Sequence, residues 1–158
     1  MSKLAFIFPG QGAQKAGMGK DFYENSEAAR SFFDQAQKIL DFDLKEMCFG
    51  EHEELNLTEY TQPCMVSVCL AIVQELKKRG INPDITAGLS LGEYAAVAAA
   101  GGMNELDAIK LVRRRGILMQ STVPAGEGAM AAVLGLDAKK IEEILESFEN
   151  VWIANYNC

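Results

Sequence analysis

Apolar positions in this chain alternate between short unbroken runs and helical stripes. The first run, Leu4 to Phe8, is closed by Pro9-Gly10 and reads as a buried strand. It is shorter than the core of a secretion signal and lacks a small-residue cleavage site. A glycine-rich loop, Pro9-Gly-Gln-Gly-Ala-Gln14, follows. The pattern then predicts an amphipathic helix from about Ser26 to Leu40, with Ser26 as its N-cap. A polar loop carrying the only histidine, His52, leads to Thr61-Gln-Pro63. Pro63 suits a first helical turn, and the helix runs on to Arg79 with Met65, Cys69, Ile72, Val73 and Leu76 as its stripe. Gly80 closes it at C′, behind the cationic run Lys77-Lys78-Arg79. Ile85-Thr86-Ala87 is a second short strand, and Glu93 to Ala100 a small-residue helix stopped by Gly101-Gly102. Asn104 caps another helix to about Met119.

The character changes near Pro124-Ala-Gly-Glu-Gly128. Beyond it, Ala129 to Leu134 reads as a strand, Asp137 caps a helix to about Phe148, and Val151 to Ala154 reads as a strand. These make one β-α-β unit, after which the sequence stops in the manner of an interrupted fold. The alternation predicts an α/β fold, with a mainly parallel sheet in the first part.

Composition narrows the function classes. A chain of 158 residues is one domain or part of a larger one. A formal net charge of −7 gives it no global attraction for nucleic acid or an anionic membrane. Its apolar runs are too short to span a bilayer. Cys48, Cys64, Cys69 and Cys158 show neither C-x-x-C nor metal-ligand spacing, so reduced thiols in a cytoplasmic protein are expected. No metal or redox cofactor is suggested.

The chemistry concentrates in Gly88-Leu89-Ser90-Leu91-Gly92, between the second strand and the small-residue helix. Strand, sharp turn with serine at its apex, then helix is the nucleophile elbow. Gly88 and Gly92 remove the Cβ atoms that would collide across the turn, and the helix N-terminus favours developing negative charge beside Ser90. In elbow enzymes the oxyanion hole uses the N–H after the nucleophile, here Leu91, and one from an early strand-to-helix loop, where Gln11 is well placed. A plain tight turn would account for that glycine-rich loop equally.

Arg115 is the second candidate. Its helical neighbours Leu111, Val112, Leu118 and Met119 are all apolar, which puts it on the stripe that should face the core. A guanidinium there needs an anion, either a substrate carboxylate or a protein carboxylate, or else it snorkels to water. Arg113 and Arg114 each neighbour Lys110 and read as surface residues.

Five blocks now carry a resemblance: Gly10-Gln-Gly-Ala-Gln14, Thr58-Glu-Tyr-Thr-Gln-Pro63, Gly88-Leu-Ser-Leu-Gly-Glu93, Arg115-Gly-x-x-Met-Gln120 and Gly128-Ala-Met-Ala-Ala132. In order and spacing the chain resembles the malonyl-CoA:acyl carrier protein transacylases of bacterial fatty-acid synthesis. The resemblance implies Ser90 as nucleophile, backbone N–H groups of Gln11 and Leu91 as oxyanion hole, and Arg115 as ligand of the malonyl carboxylate. It implies Asn155 and Asn157 as cleft residues. Malonyl-CoA and acyl carrier protein would be the substrates, the CoA thioester being no resident cofactor.

The implied fold is an α/β-hydrolase-like large subdomain with an inserted ferredoxin-like small one. Residues 1–127 would belong to the first and 128–158 would start the second. Family members are longer, and their catalytic histidine lies beyond Cys158. His52 reads as a solvated loop residue among acidic neighbours, not a substitute. A complementing C-terminal segment is therefore the expected source of full activity. An inert or complementing fragment, or a thioesterase or esterase on the same elbow, are the alternative readings. Arg113-Arg114 and Lys77-Lys78-Arg79 are candidate docking cations for the acidic carrier, or ordinary helix-surface charge.

Overall fold

In the computed structural model, which describes residues 3–123 and 126–156, the two expected strands meet in a parallel pair. Strand β1 (Ala5–Phe8) runs beside β2 (Ile85–Gly88), with Ala5 opposite Ile85 and Phe8 opposite Gly88. Helices supply the rest of a mixed α/β architecture. They are α1 (Lys20–Asn25), α2 (Glu27–Gln37), α3 (Leu44–Phe49), α4 (Thr58–Lys78), α5 (Leu91–Ala99), α6 (Glu105–Thr122) and α7 (Ala138–Leu145), with a 3₁₀ turn at Glu53–Asn56.

The expected caps form. Ser26 Oγ accepts from Ala29 N at 3.1 Å, and Asn104 Oδ1 from Leu106 N at 2.9 Å. At the end of α4, Gly80 takes φ +74°, its N–H donates to Lys77 O, and Ile81 N–H donates to Leu76 O. That pair of bonds is a Schellman closure. The short helices α1 and α3 fall where only loops were expected. At six residues each, they are too short for a periodic signal, and tertiary packing holds them.

Helix α4 departs furthest from its sequence pattern. It begins at Thr58, five residues before Pro63, so the proline sits inside the helix. It is also buried well beyond one stripe, since Thr61, Gln62, Val66, Ser67 and Leu70 are enclosed along with Met65 and Val73. Layers on several sides make it the central strut, packed on α2, α5 and α6. The core around it includes Phe33, Leu44, Leu70, Leu91, Ile109 and Val112.

The chain divides into two compact units, Met1–Ala125 and Gly126–Cys158. Pro124 and Ala125, in the expected boundary segment, lie outside the described residues. In the second unit only the helix of the expected β-α-β forms, with Asp137 Oδ1 accepting from Lys139 N at 2.9 Å. The segments 129–134 and 151–154 are not strands. An isolated strand leaves its backbone hydrogen bonds unmade, and neither segment pairs with the other. Their apolar side chains stand open, with Met130 83%, Leu134 88% and Trp152 78% exposed. Among the described residues no helix is long and apolar enough to cross a membrane.

Candidate active site

Ser90 sits between β2 and α5 with φ +49° and ψ −101°, in a region of backbone space that non-glycine residues rarely occupy. The flanking glycines explain how the turn closes. A Cβ on Gly88 would lie 2.1 Å from Gly92 C, and one on Gly92 would lie 2.3 Å from Phe8 O. No side chain fits either position without moving backbone. The turn therefore presents the Ser90 hydroxyl at the start of α5, exposed, where orphan amides and the helix dipole favour an anion.

The glycine-rich loop after β1 lies against this turn, since a Cβ on Gly10 would come within 2.9 Å of Leu89 O. Among the described residues neither the Gln11 N–H nor the Leu91 N–H donates to a protein acceptor. The Gln11 side chain is tied at both ends. Its Nε2 donates to Thr58 Oγ1 at 3.0 Å, and its Oε1 accepts from Gln62 Nε2 at 3.4 Å. Thr58 N in turn donates to Gln120 Oε1 at 3.0 Å. A chain of polar contacts thus fastens the loop to α4 and α6. Gln62 is fully buried, and among the described residues its Oε1 finds no partner. Sequence reading passed over Gln62 and Gln120, although both lie in the quoted motif blocks.

Arg115 reaches the elbow from α6. Its Nη2 donates to Ser90 Oγ at 3.4 Å, and its guanidinium carbon lies 5.6 Å from the centroid of the Tyr94 ring. Among the described residues no carboxylate pairs with it. The apolar stripe expected around Arg115 does not pack as a core face. Val112 is buried, but Leu111, Leu118 and Met119 are 45%, 50% and 48% exposed. Arg115 is half-buried at the edge of the unit.

Arg113, expected at the surface, is the enclosed member of the triplet, its side chain 12% exposed. It forms a two-bond fork with Asp41 at 2.9 Å, an ion pair with Glu59 at 3.1 Å, and stands over the rings of Phe42 and Tyr60. Its hydrogen bonds hold the Asp41 carboxyl below the usual aspartate range. It is therefore unsuited to docking. The other expected cluster is also engaged, with Lys77 on Glu105, Lys78 on Glu27 and Arg79 on Glu75.

His52 Nε2 lies 3.0 Å from Glu46 Oε1, and no hydrogen bond joins the ring to Ser90. Asn155 is exposed in the second unit, and Asn157 lies outside the described residues, as does Cys158. Burial pushes the Cys69 thiol up to about 11, and the neighbouring Cys64 thiol, together with burial, raises Cys48, so both stay protonated near neutrality. Among the described residues no cluster of histidine, cysteine or carboxylate side chains could hold a metal ion. Among the described residues the site thus offers a serine oxygen, the unengaged Leu91 amide that follows it, a second unengaged amide at Gln11 in the loop packed against the turn, and one cation without an anion. That set can form and stabilise an acyl ester bearing a negative charge.

Residues 5–158 match the family described as the acyl transferase domain. The chain is 47% identical over its full length to a malonyl CoA-acyl carrier protein transacylase of Bacillus subtilis, and to one of Staphylococcus aureus. It spans 51% and 52% of those proteins, about half the length of the curated relatives it matches. Among solved structures, a malonyl CoA-acyl carrier protein transacylase of Clostridium perfringens aligns at TM-score 0.82 and 44% identity, over 92% of this chain and 46% of that one. A type II PKS acyl carrier protein in complex with its malonyl-transacylase aligns at TM-score 0.85 and 39% identity, over 92% of this chain and 48% of that one.

Proposed function

The chain belongs to the acyl transferase domain family, and we propose that it carries the acyl-enzyme machinery of a malonyl-CoA:acyl carrier protein transacylase. The Ser90 oxygen adds to the thioester carbonyl of malonyl-CoA while its proton passes to a base. The resulting oxyanion sits between the Leu91 and Gln11 N–H groups. Collapse breaks the C–S bond, and CoA leaves as the thiol, taking back a proton. The phosphopantetheine thiol of acyl carrier protein then attacks the Ser90 ester by the same steps in reverse. CoA enters as part of a substrate, and the scheme uses no resident cofactor.

One observation carries the malonyl reading. Among the described residues Arg115 stands 3.4 Å from Ser90 Oγ with no carboxylate partner, whereas Arg113, two residues earlier, holds two. A cation left without its anion beside a nucleophile fits an acyl group that brings a carboxylate of its own.

The finer assignments belong to the same proposal. Residues 1–127 are part of an α/β-hydrolase-like large subdomain, and 128–158 begin a ferredoxin-like small one. The single histidine is tied to Glu46. The base for Ser90 comes from a complementing segment, matching the further length of the relatives, and the chain alone acylates slowly.

The test is intact mass measurement after incubation with malonyl-CoA, followed by phosphopantetheinylated acyl carrier protein. A malonyl adduct is expected on the chain, absent in Ser90→Ala, and discharged to the carrier thiol. Loss of the adduct as free malonate, with no carrier labelled, would mark a thioesterase. No adduct from folded protein, even with the second half of a relative added, would sink the proposal.

A further inference from the structure

Arg115 needs something to aim it. An arginine side chain has many rotamers, and here the apolar neighbours on its own helix leave that side open. Among the described residues two polar contacts fix the guanidinium: Ser90 Oγ at 3.4 Å and the Tyr94 ring at 5.6 Å. The first weakens when Ser90 Oγ becomes an ester oxygen, a poorer acceptor than a hydroxyl. The second survives, because the ring takes no part in the bond changes.

Tyr94 is suited to this task by position. It lies four residues after Ser90, one turn into the helix that the nucleophile opens, so its ring and the serine share one rigid frame. The ring packs against the buried core and is not a free surface group. Among the described residues its hydroxyl makes no hydrogen bond, so it is the ring that Arg115 meets. An aromatic face attracts a guanidinium through the face of the cation, and this leaves the in-plane N–H fork free for a carboxylate. The two contacts are compatible.

We propose that Tyr94 is a positioning residue that holds the Arg115 guanidinium over its ring, so that the N–H fork points at the acyl group on Ser90 and selects for an acyl chain ending in a carboxylate. This rests on the malonyl reading above and adds to it the element that sets the selectivity.

The experiment compares Tyr94→Phe, Tyr94→Leu and pentafluorophenylalanine in place of Tyr94. The last keeps the ring's shape and reverses its quadrupole. Each variant, confirmed folded by circular dichroism, is given malonyl-CoA and acetyl-CoA in competition, and the Ser90 adducts are read by mass. Tyr94→Phe keeps the malonyl-to-acetyl ratio, because the hydroxyl is not used. The leucine and fluorinated variants lower that ratio about three- to tenfold, the span of a cation–π contact that is partly desolvated. A wild-type ratio in both would overturn the proposal, since a purely steric role predicts that the fluorinated ring behaves like phenylalanine.

A second readout needs no substrate. The Arg115 Nε–H signal, assigned by its loss in Arg115→Lys, carries a ring-current shift that Tyr94→Phe retains and Tyr94→Leu abolishes. If wild-type protein takes no malonyl group even with the second half of a relative added, the functional reading fails while this signal still decides the role of Tyr94. An unmoved Arg115 signal in Tyr94→Leu refutes it.

Discussion

Ser90 and Arg115 show how two residues with ordinary chemistry become a site through their placement. Ser90 accepts a left-handed φ that costs on the order of 1–3 kcal/mol, because Gly88 and Gly92 leave no other way to close the turn. Arg115 accepts an unpaired charge, because its position is half open to water and faces the serine. Arg115→Ala is expected to slow Ser90 malonylation at least about tenfold, as loss of one charge-assisted hydrogen-bonding partner worth roughly 1.5–3 kcal/mol implies. Acetylation, which offers no carboxylate, is expected to fall far less, and parallel single-turnover rates for the two thioesters make the comparison. Equal losses would show that Arg115 serves the serine and not the acyl group. Sequence singled out both residues as candidates, Ser90 by its glycine spacing and Arg115 by its apolar neighbours. The apolar stripe nevertheless misplaced Arg115, since Leu111, Leu118 and Met119 remain about half exposed and form no core face.

At the scale of elements, the seam between α4 and α6 positions the site. Pro63 lacks the N–H that would bond Glu59 O one turn back, and Arg113 Nη1 from α6 donates to that carbonyl instead, at 2.8 Å. Gly116 allows the close crossing, for a Cβ there would lie 2.8 Å from Glu59 Cα and from Thr58 O. One side chain thereby repairs the proline, pairs Asp41 and Glu59, and rests on Phe42 and Tyr60. Arg113→Ala is expected to destabilise the fold by roughly 1–3 kcal/mol, because the Glu59 carbonyl loses its partner. Arg113→Lys should recover only part of this, lacking the planar fork. Urea unfolding followed by circular dichroism checks both, and a substitution as mild as a surface exchange would contradict the seam. Lys110 as a helical neighbour suggested a solvated face for Arg113, and only the arrival of α4 and of the Asp41 loop made it an interior residue.

Across the whole molecule, acid stability depends on a junction remote from the site. Glu75, near the C-terminal end of α4, accepts from the hydroxyl of Ser26, the N-cap of α2, and pairs with Arg79. The Ser26 hydrogen bond, and then Arg79, hold its carboxyl below the ordinary glutamate range. A depressed pKa stabilises the folded state above the unfolded pKa, about 4.3, and that contribution fades as pH falls through the lower folded value. Glu75→Gln is expected to be less stable than wild type at neutral pH and to lose less on acidification, so the two curves converge in acid. Thermal melts from pH 7 down to pH 3 test it, and parallel curves would rule it out.

The same scale separates local from distant causes. The elbow, the caps at Ser26, Asn104 and Asp137 and the Gly80 closure all follow from residues close in sequence. Sequence by itself determined these, because turn sterics and capping bonds act over a few residues. Tertiary structure alone decided which arginine is enclosed, that α4 runs through Pro63, that Gln11 is tied to Thr58 and Gln62, and that segments 129–134 and 151–154 form no strand. Each of these depends on a partner supplied, or not supplied, by a distant part of the chain, and no local pattern records who that partner is.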